Sequence, residues 1–384
     1  MIQILIFNKM SSFNVAQILP SLDSGGVERG TIEVANYLSE LNLKNNIISN
    51  GGRLIKEIDK NYTNHFKLPV NSKNFFIYPL VANQLKKLII NQNINVVHVR
   101  SRAPAWILSF VKNRNFKTIS TFHNVYSGNS YFKKIYNKKL SKVDQIVAIS
   151  NYVKNEISKK YNLDSNKIKV INRGVDVKYF EKPILDSQIE NIINKYQIDT
   201  SKIIILYPAR LTNWKGQIEF LDIFNKMQND NFLLYFAGDT KNQSYTEKLQ
   251  NKIQSFNLGH KCKIIGNLLR DDLKTLYYLS SIITSFPLKA EGFGRTISEA
   301  LIMKKKILTF NYGGVKDQLD KLDDIYKVDP HKYNEIDIKL QNIIKIDKEK
   351  FSNISLDSKD YISKSFSKYQ MVQSYLDLYE QQSI

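Results

Sequence analysis

Short apolar or β-branched runs of strand length alternate along this chain with longer segments of helical spacing, and that alternation narrows the fold more than any other feature. Runs at 15–19, 46–49, 95–99, 118–121 and 145–149 are mostly separated by stretches such as 27–41 and 76–91, where apolar residues recur at helical intervals. The pattern restarts after residue 200, with runs at 203–207, 232–237, 262–265, 282–284 and 306–309. Such an order argues for an α/β fold with parallel sheets covered by helices on both faces. The chain has 384 residues, more than the roughly 250–300 at which a single core stops growing, so two domains are expected. The charged, irregular stretch 180–200, which contains Pro183, is the linker candidate. The expected division is 1–180, 181–365, and a terminal helix over 366–384 that packs back toward the first domain. No repeat at solenoid spacing interrupts this reading.

Composition bounds the function. A hydrophobic content of 42% supports real cores, yet no apolar run approaches the ~18–20 residues of a membrane span. Residues 1–13 lack the charged-then-apolar layout of a signal peptide, and a single cysteine, Cys262, leaves no intrachain disulfide, so a cytosolic protein is expected. Met10 offers a second natural start beside Met1. The net charge of +20 is uneven: residues 1–180 hold 27 Lys and Arg against 10 Asp and Glu, while the remainder holds 29 against 26. A basic first half suits an anionic partner such as nucleic acid, a lipid surface or an acidic acceptor, although Lys- and Asn-rich composition also follows from nucleotide bias. With no zinc-finger spacing and no RNP-like aromatic run, nucleic acid rests on charge alone.

Motifs sit just past the strand runs, where open α/β sheets bind ligands. Arg210-Leu-Thr-Asn-Trp-Lys215-Gly216 carries two cations five residues apart, and both can neutralise a diphosphate; Trp214 reads as packing. Downstream, Glu291-Gly-Phe-Gly-Arg-Thr-Ile-Ser-Glu299 places two carboxylates around a glycine turn that opens a helix. Free N–H groups and the positive dipole end there suit phosphate. Gly292, Phe293, Gly294, Arg295 and Thr296 form that cradle. Glu299 can accept from ribose hydroxyls, and Glu291 lies where a sugar would sit. In the first half, Gly25-Gly26 lets backbone approach a phosphate or sugar, or else makes a plain tight turn. Glu28 and Arg29 either orient an acceptor or pair within the first helical turn. Arg100 and Arg102 follow a strand and recognise carboxylate or phosphate, or else pair between elements. Over 132–143, Phe132, Ile135, Tyr136, Leu140 and Val143 recur at helical spacing while Lys133, Lys134, Lys138, Lys139 and Lys142 take the other face. This is either a basic amphipathic helix for anionic lipid or a core helix with solvated lysines.

Together these motifs resemble the donor site of glycosyltransferase family 4, whose GT-B fold has two Rossmann-like parallel-sheet domains facing a central cleft. The resemblance extends to Ser24-Gly-Gly-Val-Glu-Arg29, Thr121-Phe-His-Asn124, Phe236-Ala-Gly-Asp239 and Tyr312-Gly-Gly-Val315, the last followed by Asp317 where Glu is commoner. It also takes in Asn172-Arg-Gly-Val-Asp176, where many members carry Asn rather than Arg before the glycine. The segment Val97-His-Val-Arg-Ser-Arg-Ala-Pro-Ala-Trp106 further resembles a bacterial subgroup of lipopolysaccharide core sugar transferases.

The resemblance implies a hexosyltransferase. It would move a sugar from a nucleotide-diphosphate sugar to a hydroxyl of a saccharide or lipid-linked acceptor, with retention of configuration. His123 would lie by the donor sugar, or else be a strand-end histidine bonded to backbone. With His123, Arg210, Lys215 and Glu291 as the catalytic set, the cations take over the electrostatic task of a metal, and no metal or other cofactor is expected. Glu28, Arg100 and Arg102 fall on the acceptor side, where a Kdo-bearing or phosphorylated lipid core would meet them. The protein is then cytoplasmic, or peripheral on the inner face of the cytoplasmic membrane. The competing readings are a non-catalytic sugar-binding module and a basic nucleic-acid-binding protein.

Overall fold

A computed structural model describes residues 13–23, 25–128, 130–227 and 229–383. Ser24 of the first glycine motif and residues 1–12, with both candidate starts Met1 and Met10, lie outside the described residues. The chain forms two units. One runs to Arg173 and takes in the residues from Lys368 onward; the other is Gly174–Ser367. The breaks thus fall after 173 and after 367, a few residues from the 180 and 365 expected from the sequence.

The first unit is built on a seven-stranded parallel sheet of β1 (Val15–Ile18), β2 (Asn45–Ser49), β3 (Thr63–Lys67), β4 (Val96–Val99), β5 (Lys117–Phe122), β6 (Gln145–Ala148) and β7 (Ile168–Val170). Their order in space is β3-β2-β1-β4-β5-β6-β7. After β1 the chain winds outward through β2 and β3, then returns to pair β4 with the other edge of β1. That reversal is where ligands of doubly wound sheets bind. One face of this sheet is closed by the helix Lys368–Ser383, whose Met371, Val372, Tyr375, Leu376, Leu378 and Tyr379 join Val15, Val34, Val96, Ile119 and Val147 in one core. Beside it on the same face, Leu19, Ile47 and Leu54 pack with Ile32 and Ala35.

The second unit repeats the scheme with β8 (Ile203–Pro208), β9 (Phe232–Ala237), β10 (Cys262–Gly266), β11 (Ile282–Ser285), β12 (Lys306–Phe310) and β13 (Lys327–Val328). The order is β10-β9-β8-β11-β12-β13, again parallel, with its reversal between β8 and β11. Cys262 is buried in this unit, and burial pushes its thiol up, as suits a small core hydrophobe.

The helix expected over 132–143 is shorter: it spans Tyr131–Lys138 and tightens into a 3₁₀ turn at Lys139–Ser141. Leu140 is fully buried, and Tyr136 stacks on Trp106 at 6.0 Å, so the later part belongs to the core. Only the first turn, with Tyr131, Phe132 and Ile135, keeps its apolar side chains in solvent.

Candidate active site

In the second unit the residues after β8 and β11 are locked together by backbone and buried polar side chains. The Tyr207 hydroxyl accepts from the Phe286 N–H at 2.7 Å and donates to the Lys215 carbonyl, while the Leu288 N–H donates to the Trp214 carbonyl at 2.8 Å. Burial holds the Tyr207 phenol well above its ordinary range, so it stays a donor. Gly216 has φ +77°, and a Cβ there would stand 2.1 Å from the Phe286 carbonyl oxygen. Only glycine allows the Lys215 turn to press so closely on the end of β11. Gln217 donates to the Arg210 carbonyl at 2.9 Å and is itself held by the Tyr245 hydroxyl at 3.1 Å, which fixes the loop that carries Arg210.

The Gly-Phe-Gly turn is clamped from beneath by Gln318, which donates to the Phe293 carbonyl and accepts from Ser298. Gly314 donates to the Glu291 carbonyl at 2.8 Å, and a Cβ on it would lie 2.0 Å from the Gly292 oxygen. Thus Tyr312-Gly-Gly-Val315 is the floor under Glu291. Gly238, in the Phe236-Ala-Gly-Asp239 motif, leaves room for the Ala209 carbonyl in the same way.

The helices Gln217–Lys226 and Arg295–Ile302 each begin at a glycine in the left-handed region, Gly216 and Gly294, and neither has a side-chain cap. Their first N–H groups lack intrahelical acceptors and carry the positive dipole end. Arg210 is exposed, and its side chain makes no hydrogen bond or ion pair among the described residues. Lys215 and Glu291 form an ion pair, each side chain 13% exposed, with the Lys215 ammonium 4.6 Å from the Trp214 ring centre. Trp214 therefore does more than pack. Glu299 accepts from the Tyr277 hydroxyl at 3.2 Å and lies 3.7 Å from Arg295. Burial, then the Glu299 charge, pushes the Tyr277 phenol far up, so it remains a proton donor to that carboxylate. Thr296 is half-buried on the same first turn. The unit thus gathers the expected residues Arg210, Lys215 and 291–299 on the ends of β8 and β11. Sequence reasoning missed their supports Tyr207, Gln217, Tyr277 and Gln318, which are isolated polar residues with no local signature.

In the first unit Gly25, with φ +127°, precedes the helix Gly26–Glu40 and has no side-chain cap hydrogen bond. Arg29 pairs with Glu57 at 3.0 Å, across elements rather than with Glu28. Glu28 itself sits in the first helical turn, half-buried. Arg100, expected at the surface facing an acceptor, is instead 1% exposed: it donates to Gln17 and stacks over the Tyr375 ring at 5.2 Å. The physical reason is alternation. His98 and Arg100 share the sheet face that the terminal helix covers, and His98 bonds Tyr379 and Thr121 there, each at 2.8 Å. Arg102 is half-buried, donates to Asn137 at 2.9 Å and lies over the Tyr126 ring at 4.2 Å.

His123 follows β5. Its Nδ1 lies 3.3 Å from a guanidinium nitrogen of Arg173, and its Nε2 is buried with no hydrogen-bond partner among the described residues. Burial, then Arg173, Arg100 and His98, hold its pKa well below the usual 6.5; burial, then Arg100, does the same for His98. Both histidines are neutral in the fold, whereas the unfolded chain gains protons below about pH 6.5. Stability should be flat above that point and fall on acidification, by up to about 1.4 kcal/mol per pH unit for each fully neutral histidine. Chemical denaturation at pH 7.0 and 5.5 reads this; equal midpoints and slopes would contradict it.

Comparison with known proteins agrees with this fold. Residues 24–179 match the family described as Glycosyltransferase Family 4, and residues 188–355 match Glycosyl transferases group 1. A solved glycosyltransferase from Rickettsia africae is 35% identical, with a TM-score of 0.87 over 96% of this chain and 98% of that one. The chain belongs to the family 4 type of glycosyltransferase, with the GT-B pair of Rossmann-like parallel-sheet domains. Anabaena Alr3699/HepE, solved in complex with UDP and glucose, shares the fold at 15% identity and TM-score 0.79, covering 96% of this chain and all of that one. Trehalose synthase of Pyrococcus horikoshii is 24% identical over 63% of this chain and 59% of its own length. The matches span 43–61% of the length of the first curated relatives.

Proposed function

We propose that the chain is a retaining hexosyltransferase that moves a sugar from a nucleotide-diphosphate sugar to a hydroxyl of a saccharide or lipid-linked acceptor. The observation that carries this reading is the cluster at the ends of β8 and β11: an exposed Arg210 with no side-chain partner among the described residues, the Lys215–Glu291 pair and two glycine-started helices. Arg210, Lys215 and the helix N–H groups neutralise the departing diphosphate. Glu299, oriented by Tyr277, accepts from the ribose hydroxyls. Glu291, once its lysine turns to phosphate, faces the sugar. In the first unit His123 donates a hydrogen bond to the transferring sugar, and Gly25 and Gly26 let backbone approach the ligand. Retention suits a leaving phosphate oxygen that takes the acceptor proton on its own face, a route that needs no pair of carboxylates at glycosidase spacing. A panel of UDP-, GDP- and ADP-sugars tests the reading by thermal shift. One nucleotide class should raise the melting temperature in proportion to the logarithm of ligand concentration, and no shift with any of them would refute it.

Two fixed cations and two helix dipoles suit the charge of a diphosphate without a bound ion. Turnover should therefore persist in EDTA. Activity lost in chelator and restored by Mg²⁺ or Mn²⁺ would overturn this.

The acceptor is proposed to be anionic and lipid-linked, which places the protein on the inner face of the cytoplasmic membrane. Support comes from a surface of the first unit. Phe132 is 81% exposed beside Lys133 and Lys134, and Phe76 is 95% exposed on a neighbouring turn, where Phe75 lies 6.2 Å from Tyr136. Aromatic tips beside lysines suit an anionic lipid interface, where each lysine contributes about 1 kcal/mol. Binding to anionic but not zwitterionic vesicles is expected. Reversing Lys133 and Lys134 to glutamate should weaken it at least tenfold. Equal sedimentation of wild type and variant would leave these lysines as solvated charge.

A further inference from the structure

The first unit is shaped around Arg173. It follows β7, is 5% exposed, and donates to the Gly26 carbonyl at 2.5 Å. A Cβ on Gly30 would stand 1.6 Å from its Nη1, so the helix Gly26–Glu40 accepts the guanidinium only because residue 30 has no side chain. The same Nη2 reaches His123 Nδ1 at 3.3 Å.

A guanidinium has five N–H donors, no acceptor, and does not deprotonate in proteins. Facing it, His123 Nδ1 can only accept, so the single proton of the neutral ring must reside on Nε2. That nitrogen is buried and lacks a hydrogen-bond partner among the described residues, which a native interior seldom leaves unless something else fills the role. We propose that Arg173 is a positioning residue that fixes His123 as the Nε2–H tautomer, so that Nε2–H is reserved as a hydrogen-bond donor to an oxygen of the bound sugar. The inference rests on the transferase reading for the ligand's identity, but the tautomer itself is a property of the free protein.

Long-range ¹⁵N–¹H correlation of the histidine rings in the free, full chain tests it. The wild type should show His123 protonated on Nε2 alone, with shifts constant from pH 8 to pH 6. In Arg173→Met, which fills the volume without a donor, the ring should populate both tautomers. Gly30→Ala, which displaces the guanidinium while leaving Arg173 in the sequence, should act in the same direction. Should Arg173→Met fail to fold, Gly30→Ala alone carries the comparison. A wild-type ring protonated on Nδ1, or a ring unchanged in the folded variants, would overturn the proposal. Neither outcome depends on turnover, so it stands apart from failure of the transferase reading. Where a donor sugar has been found, Arg173→Met should lower kcat tenfold or more with KM nearly unchanged. His123→Gln, which keeps a donor near Nε2, should retain more activity than His123→Asn. Equal losses in these two would also count against it.

Discussion

Replacing Arg210 by alanine should weaken nucleoside diphosphate binding by about 1.5–3 kcal/mol, or roughly tenfold to 150-fold, with the fold unchanged. The magnitude is that of a charge-assisted hydrogen bond to phosphate, removed at a site where helix dipoles remain. Stability should hold because Arg210 is exposed and its side chain holds nothing else in place; substitutions of that kind stay within about 0.5 kcal/mol. Lys215→Ala should weaken the nucleotide by a similar amount but with a second effect. Its ammonium pairs with Glu291, and both side chains are only 13% exposed, so the variant strands a largely buried carboxylate. That costs about 1–3 kcal/mol of stability. Lys215→Ala with Glu291→Gln should recover part of the stability and none of the affinity. Calorimetry and denaturation together separate the two residues. Equal nucleotide affinity in wild type and both single variants would remove the clamp from the account.

The largest structural effect should come from the terminal helix. A chain ending at Ser367 loses Met371, Val372, Tyr375, Leu376, Leu378 and Tyr379 from the core of the first unit. Each large buried side chain contributes about 2–5 kcal/mol, and together they exceed the 5–15 kcal/mol by which a domain is ordinarily stable. The loss also strips His98 of Tyr379 and Thr121 of Tyr375, leaving buried polar atoms that cost a further ~1–3 kcal/mol each. The first unit should therefore unfold while Gly174–Ser367 keeps its own core. Limited proteolysis of the truncated chain should cut freely before Arg173 and spare the second unit. A truncated chain as protease-resistant as the full one would show that the helix is dispensable.

Much of this was legible in the residues, because parallel strands buried on both faces leave apolar runs that a sequence cannot disguise. Ten of the strands were found in this way, β1, β2, β4, β5 and β6 and then β8 to β12. The three missed are short or polar edge strands: Thr63–Lys67 reads Thr-Asn-His-Phe-Lys, Ile168–Val170 has three residues and Lys327–Val328 has two. The motifs after β8 and β11 were legible because glycines and charges cluster locally at strand ends. Arg100 was not, since the helix that covers it lies some 270 residues downstream and no local pattern announces that cover. The basic helix is shorter than its spacing suggests for the related reason that its second half is claimed by Trp106 from another element.

The central claim is that the ends of β8 and β11 hold a nucleotide sugar for transfer. Release of nucleoside diphosphate from UDP-, GDP- and ADP-sugars, with and without lipid extract as acceptor source, measures it most directly. The account predicts turnover with one nucleotide class, stimulated by acceptor and reduced by about 10²–10³ or more when Arg210 and Lys215 are both alanine. Turnover by that double variant at the wild-type rate, or no release from any donor by a folded wild type, would contradict it.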